Sequence, residues 1–149
     1  MNLVFVVTDF NYGSSFVKAD EIARALFEEK IWLFSERTPY RMEMSKGDRV
    51  IVYIGGTRRG VFVADFVLKS TLKEMLEPQK RVAQGLGIRR FKYFAELDKV
   101  NVWQGEVQIR NLIPKLSFIK NKQYWGQYFR RGIIKLSDQD MTTISSDSK

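Results

Sequence analysis

The firmest constraint in this chain is a pair of apolar runs, Arg49–Ile54 (RVIVYI) and Val61–Leu68 (VFVADFVL), separated by the short segment Gly55-Gly56-Thr57-Arg58-Arg59-Gly60. Both runs are rich in β-branched and aromatic residues, and a spacer with three glycines can turn one run back on the other. The segment reads as a hairpin of buried strands, which an all-helical bundle cannot house. Further strands are expected at Asn2–Thr8, Ile31–Ser35, Arg89–Leu97, Val100–Val107 and Ile133–Leu136.

The helical content reads as peripheral. Residues 14–30 (SSFVKADEIARALFEEK) place Phe16, Ile22, Ala25, Leu26 and Phe27 near one face, as an amphipathic helix does. A short helix is expected at Thr71–Leu76, ended by Pro78, and an exposed loop over residues 79–90. Arg110–Leu116 and Lys122–Arg131 read as helical, with Gly132 as a C-terminal cap. Ser137 and Asp140 have capping-box spacing, opening a last turn through Ile144. The expected fold class is α+β: a mostly antiparallel sheet closed toward a barrel, with short peripheral helices. Residues 1–144 read as a single domain and residues 145–149 as a frayed tail.

Composition narrows the chemistry. The chain has no Cys and no His, so disulfides, thiolate or imidazole metal sites, Cys nucleophiles and Ser-His-Asp triads are excluded. No cofactor or metal is expected. The net charge is +8, with 11 cations against 10 acids in residues 1–74 and 14 against 7 in residues 75–149. Residues 107–137 hold Arg110, Lys115, Lys120, Lys122, Arg130, Arg131 and Lys135 with no acid, interleaved with Phe118, Tyr124, Trp125, Tyr128 and Phe129. Cations and flat rings together suit a polyanion carrying stackable bases, or else a charged surface over an ordinary aromatic core. No apolar run is long enough to span a bilayer, and no signal peptide is evident. A cytoplasmic monomer that binds nucleic acid and no membrane is the expectation.

Candidate binding residues follow. Trp32 and Phe34 share a face of one strand, and Tyr53 and Phe62 on the hairpin could join them at a barrel mouth to sandwich a flat heterocycle. The same rings could instead fill a core. Gly55 beside Tyr53 allows close approach to the backbone. Arg58 and Arg59 at the hairpin tip read as phosphate contacts or as a solvated tip. Asp20, Glu28 and Lys30 carry the residue types of a metal-dependent nuclease, but they fall on the expected helix and its polar face.

The order of these features resembles the EVE domain of the PUA-like superfamily. The resemblance rests on KGDRVIVY before a Gly-containing hairpin, and on NLIPKLSFIKNKQYWGQYFRRGIIKLSDQDMTTI, with L-x-F-I-x-N-K, W-G-x-x-F-R-x-G and S-x-x-D in order. It covers nearly the whole chain. It implies a PUA-like pseudobarrel, related to the YTH domains that bind methylated RNA bases, and a module reading a modified base of DNA or RNA in an aromatic pocket. Carried over by position, it places Thr8, Trp32, Tyr53 and Gly55 at the pocket, with Trp103 as a candidate second wall. It matches Asn121, Lys122, Trp125 and Arg130 to the C-terminal motif, and Trp125 reads there as structural. Lys120, Lys122, Arg130 and Arg131 join Arg58 and Arg59 as phosphate candidates. Two other classes stay open: a carboxylate-metal enzyme acting on nucleic acid, and a sensor of free modified nucleosides.

Overall fold

The computed structural model describes residues 1–56 and 59–148. Strand β1 (Asn2–Val7) pairs in parallel with β5 (Arg49–Ile54) and antiparallel with the edge strand β9 (Ile133–Leu136). From β5 the sheet continues antiparallel through β6 (Val61–Leu68), β8 (Tyr93–Gln108) and β4 (Ile31–Phe34), and the short β7 (Lys73–Glu74) also pairs with β8. The strand path β4-β8-β6-β5-β1-β9 curls into a half barrel, the α+β class expected from the sequence. A separate two-residue hairpin joins β2 (Phe10–Tyr12) to β3 (Ser15–Val17).

Because side chains alternate along a strand, β1 and β5 feed two cores. Leu3, Phe5, Val7, Val50, Val52 and Ile54 enter one core, while Val4, Ile51 and Tyr53 enter the other. The first core is covered by β4 and helix α1 (Ala19–Glu29), with Ala83 of α2 (Glu77–Leu86). The second is covered by the cationic stretch itself. Its 3₁₀ turns Ile109–Asn111, Ile113–Lys115 and Trp125–Arg130 bring in Ile109, Leu112, Leu116, Ile119 and Phe129, joined by α3 (Asp138–Ser146).

Several expectations need correction. The first helix begins at Ala19, because residues 15–17 pair as β3 and leave Phe16 exposed. Residues 71–76 contain the strand β7, and the helix lies instead over residues expected to be a loop. Pro78 sits in the first turn of α2, where its missing N–H costs nothing, so it starts this helix instead of ending one. The two strands expected between residues 89 and 107 are one strand, β8, with register shifts against β6 and Lys99 in the left-handed region at φ 51°. Residues 110–116 and 122–131 form 3₁₀ turns where helices were expected.

The C-terminal motif is tied together by Asp140, which is 1% exposed. Its carboxylate accepts from the Ser117 N–H (2.9 Å), the Ser117 hydroxyl (2.7 Å) and the Phe118 N–H (3.3 Å), while its own N–H donates to Ser137 Oγ. Asp140→Ala would leave these part-buried donors without their acceptor, at about 1–3 kcal/mol for an unmade bond. A loss of about 3 kcal/mol in urea unfolding is expected, with Asp140→Asn retaining part of the stability.

Candidate functional site

Three adjoining clefts meet where β1 ends. The turn at Thr8-Asp9 is fixed by Asp9, whose Oδ1 accepts the Ala19 N–H at 2.8 Å. Lys18 at the N-cap offers no side-chain acceptor there, so Asp9 satisfies a helix N–H that would otherwise be orphaned and pins β1 to α1. On the other side the Gly55 N–H donates to the Val7 carbonyl. A Cβ on Gly55 would lie 3.3 Å from Thr8 Cγ2 and 3.5 Å from Tyr53 Cε1, so this close approach suits glycine.

The first cleft, about 390 Å³, is lined by Thr8, Tyr53, Gly55, Trp125, Phe129 and Arg130, among others. The second, about 180 Å³, is a mostly apolar slot lined by Trp32, Phe91, Phe10, Ile22 and Ile88, with Thr8 and Asp9 as its polar members. The third, about 350 Å³, runs past Trp32, Phe34 and Phe91 to Arg37, Arg130 and Arg131. Val6 lines all three; Thr8 is shared by the first two, and Trp32 and Phe91 by the last two.

The four rings expected to form one group are divided. Trp32 and Phe34 pack with Phe5 in the first core, and Trp32 also meets Phe66; Tyr53 and Phe62 lie in the second core. The alternation of β5 turns Tyr53 to the second core, and for Phe62 the division has a local cause. Tyr53 pairs with Phe62 and Val52 with Ala64, so Val63 is an extra residue in β6. A bulge of this kind reverses the alternation, sending Phe62 to the face opposite that of Ala64 and Phe66.

Tyr53 contributes its rim and not its face to the first cleft. Phe129 stacks on it at 4.1 Å and 20°, and the residue is 2% exposed. Burial pushes its phenol up to about 12. Trp103 stands apart from the clefts: it is buried in the second core, and its indole N–H donates to Asp65 Oδ2 at 2.6 Å, so it is not the expected second wall. The other rings at the clefts are Phe91, which lines the second together with Trp32, and, in the first, Trp125, read from sequence as structural. Trp125 was accessible through its motif, whereas Phe10, Arg37 and Phe91 carried no signal of their own.

The phosphate candidates also separate. Arg130 ends the last 3₁₀ turn and Arg131 follows it; both border the clefts and have no ion-pair partner among the described residues. Arg59 borders the first cleft but is held by carboxylates: Nη2 lies 2.8 Å from Glu106 and 3.1 Å from Asp20. The Glu106 hydrogen bond raises its pKa above the ordinary guanidinium value against partial burial, and Asp20 adds to the rise. Lys122 donates to the Leu116 carbonyl at 2.8 Å and serves the scaffold. Lys120 is exposed and borders none of the three clefts. Arg58 lies outside the described residues. Asp20 pairs with Arg59 at the start of α1, away from Glu28 and Lys30 at its end, and no three acidic side chains gather as metal ligands among the described residues.

Solved structures share this fold over nearly their full length, two of them as follows. The N-terminal domain of Staphylothermus marinus McrB superimposes with a TM-score of 0.62 at 15% identity, covering 99% of this chain and 94% of that one. Human THYN1 protein, in complex with 5-methylcytosine-containing DNA, gives 0.63 at 9% identity, covering 97% and 95%. The fold is PUA-like. The likeness to the EVE domain read from the C-terminal motif thus holds at the level of the fold. In sequence, a UPF0310 protein of Pyrococcus abyssi is 26% identical over 125 residues, 80% of this chain and 87% of its own. Bacterial UPF0310 proteins match at up to 51% identity, but the chain spans only 26% to 30% of their length. No family model matches the chain.

In this PUA-like chain the buried phenol makes a spectroscopic marker. Tyr53 stays protonated in the fold while its unfolded counterpart ionises near 10, so its contribution to stability is present below pH 10 and lost as pH rises toward 12. In an alkaline phenolate titration Tyr53 should ionise late, at about pH 12. Tyr53→Phe should remove that late step alone.

Proposed function

We propose that the protein binds nucleic acid, taking one base out of its stack into the slot lined by Trp32 and Phe91, with Arg130 and Arg131 on flanking phosphates. One observation carries the reading: a mostly apolar slot lined by an indole and a phenyl ring opens beside a cleft bordered by Arg37, Arg130 and Arg131, which make no ion pair among the described residues. Rings beside cations match a base on its phosphodiester. Thr8 and Asp9 at the side of the slot offer hydrogen-bonding groups for a base edge.

The finer reading is a modified base, bound without chemical change. An added methyl group buried against Trp32 and Phe91 gains about 0.8 kcal/mol, roughly fourfold in affinity. Support comes from the PUA-like fold shared with human THYN1 protein, which was solved with 5-methylcytosine-containing DNA. The reading is of an extruded base held in place, as in base flipping without the subsequent reaction.

The test is a binding screen of modified and unmodified single-stranded and duplex oligonucleotides at two salt concentrations. Affinity should fall steeply with salt, and Arg130→Ala with Arg131→Ala should lower the slope of log K against log salt by about 1.4 to 1.8. Trp32→Phe, which keeps an aromatic ring in the core, should cost about tenfold or less by weakening the stack. A flat salt response, or affinity unchanged in Trp32→Phe, contradicts the reading.

A further inference from the structure

Beside the slot stands a second cluster of rings and cations. Phe10, which lines the slot, is followed on the same face of β2 by Tyr12, with ring centroids 6.4 Å apart. Tyr12 is 42% exposed at the tip of the β2–β3 hairpin, whose two-residue turn begins at Gly13 with φ 60°. Two guanidinium groups stand over this ring, Arg90 at 4.5 Å and Arg89 at 5.8 Å from its centroid.

The segment delivering them is firmly placed. Gly87 caps α2 in the left-handed region at φ 74°, and its neighbour Ile88 is buried. Phe91 is half-buried against the first core, while Arg89 and Arg90 project outward between these two anchors. Arg90 is itself left-handed at φ 73°, a conformation that non-glycine residues avoid and that concentrates at binding sites. Two adjacent cations share one exposed ring, and neither has an acidic partner among the described residues. An anion placed there would relieve their mutual repulsion.

We infer that Tyr12, Arg89 and Arg90 form a second station for the nucleic-acid strand, holding the nucleotide next to the one in the slot. The inference rests on the proposed function and extends it from one base to a strand. Nucleic acid is favoured over other polyanions because a ring 42% exposed accompanies the cations and because Phe10 makes the cluster continuous with the slot. Tyr12 gives a neighbouring base a surface to stack on, and the arginines meet its phosphates.

The test compares two probes, a short fluorescein-labelled single-stranded oligonucleotide carrying one 5-methylcytosine and the free 5-methylcytidine monophosphate. Arg89→Ala with Arg90→Ala should lower the oligonucleotide's log K against log salt slope by about 1.4, near 0.7 per lost phosphate contact. The Lys pair should restore it, and monophosphate binding should not change. Tyr12→Leu should weaken oligonucleotide binding about tenfold. All of these positions are exposed, so equal thermal melting will show that folding is intact. An unchanged slope in the Ala pair, with Trp32→Phe still weakening both probes, overturns this station and leaves the slot standing. The reverse pattern keeps the station and removes the slot. Salt-independent binding, or none, by the wild-type protein overturns both.

Discussion

Strand β1 is the element on which the rest depends. It is hydrogen-bonded on both edges, by β5 and β9, and both of its faces are covered. A six-residue strand in that position can carry no polar side chain between its ends, and LVFVV carries none. Its alternation sets two cores, and its end at Val7 sets the site. There the chain must leave the sheet, and Asp9 and Gly55 hold the departure against α1 and the β5 end. The clefts are the space that this departure leaves uncovered.

The same logic assigns the cationic stretch its role. Its apolar residues close the second core, and Asp140 clips Ser117 and Phe118 to α3, so most of it is wall. What reaches the clefts is the last 3₁₀ turn and the residue after it: Trp125, Phe129 and Arg130 from the turn, then Arg131. Positive charge is thereby focused at one place by geometry, while Arg59 and Lys122 are spent on internal partners. The potential at the mouth depends on which cations lack partners, and composition cannot report that.

Much of the fold was legible because its signals are local. The alternation of β5 and β6 around glycines, the β-branched run of β1, and the Ser137–Asp140 cap each declare themselves within a few residues. What was not legible depends on distant pairing. The extra residue at Val63 has no sequence mark, yet it moves Phe62 to the other core and breaks the expected ring group. Asp98-Lys99 looks like a turn and is an irregularity inside one strand. Pro78 looks like a stop and is a start. At the site, Thr8, Trp32, Phe34, Tyr53, Gly55, Arg130 and Arg131 line the clefts, whereas Trp103, expected as a second wall, does not, and only the fold shows that Asp65 accepts its indole N–H. Phe10, Arg37 and Phe91 come from three separate segments and meet only in space.

Entry of the base beside Trp32 can be followed at the three indole N–H resonances in a heteronuclear NMR titration with a modified oligonucleotide. Each is assigned by a Trp→Phe substitution. Trp32, whose ring lines the slot, should shift strongly as binding saturates. Trp103, locked to Asp65, should stay where it is. A Trp32 resonance unmoved at saturation, whatever the other two do, would contradict the account.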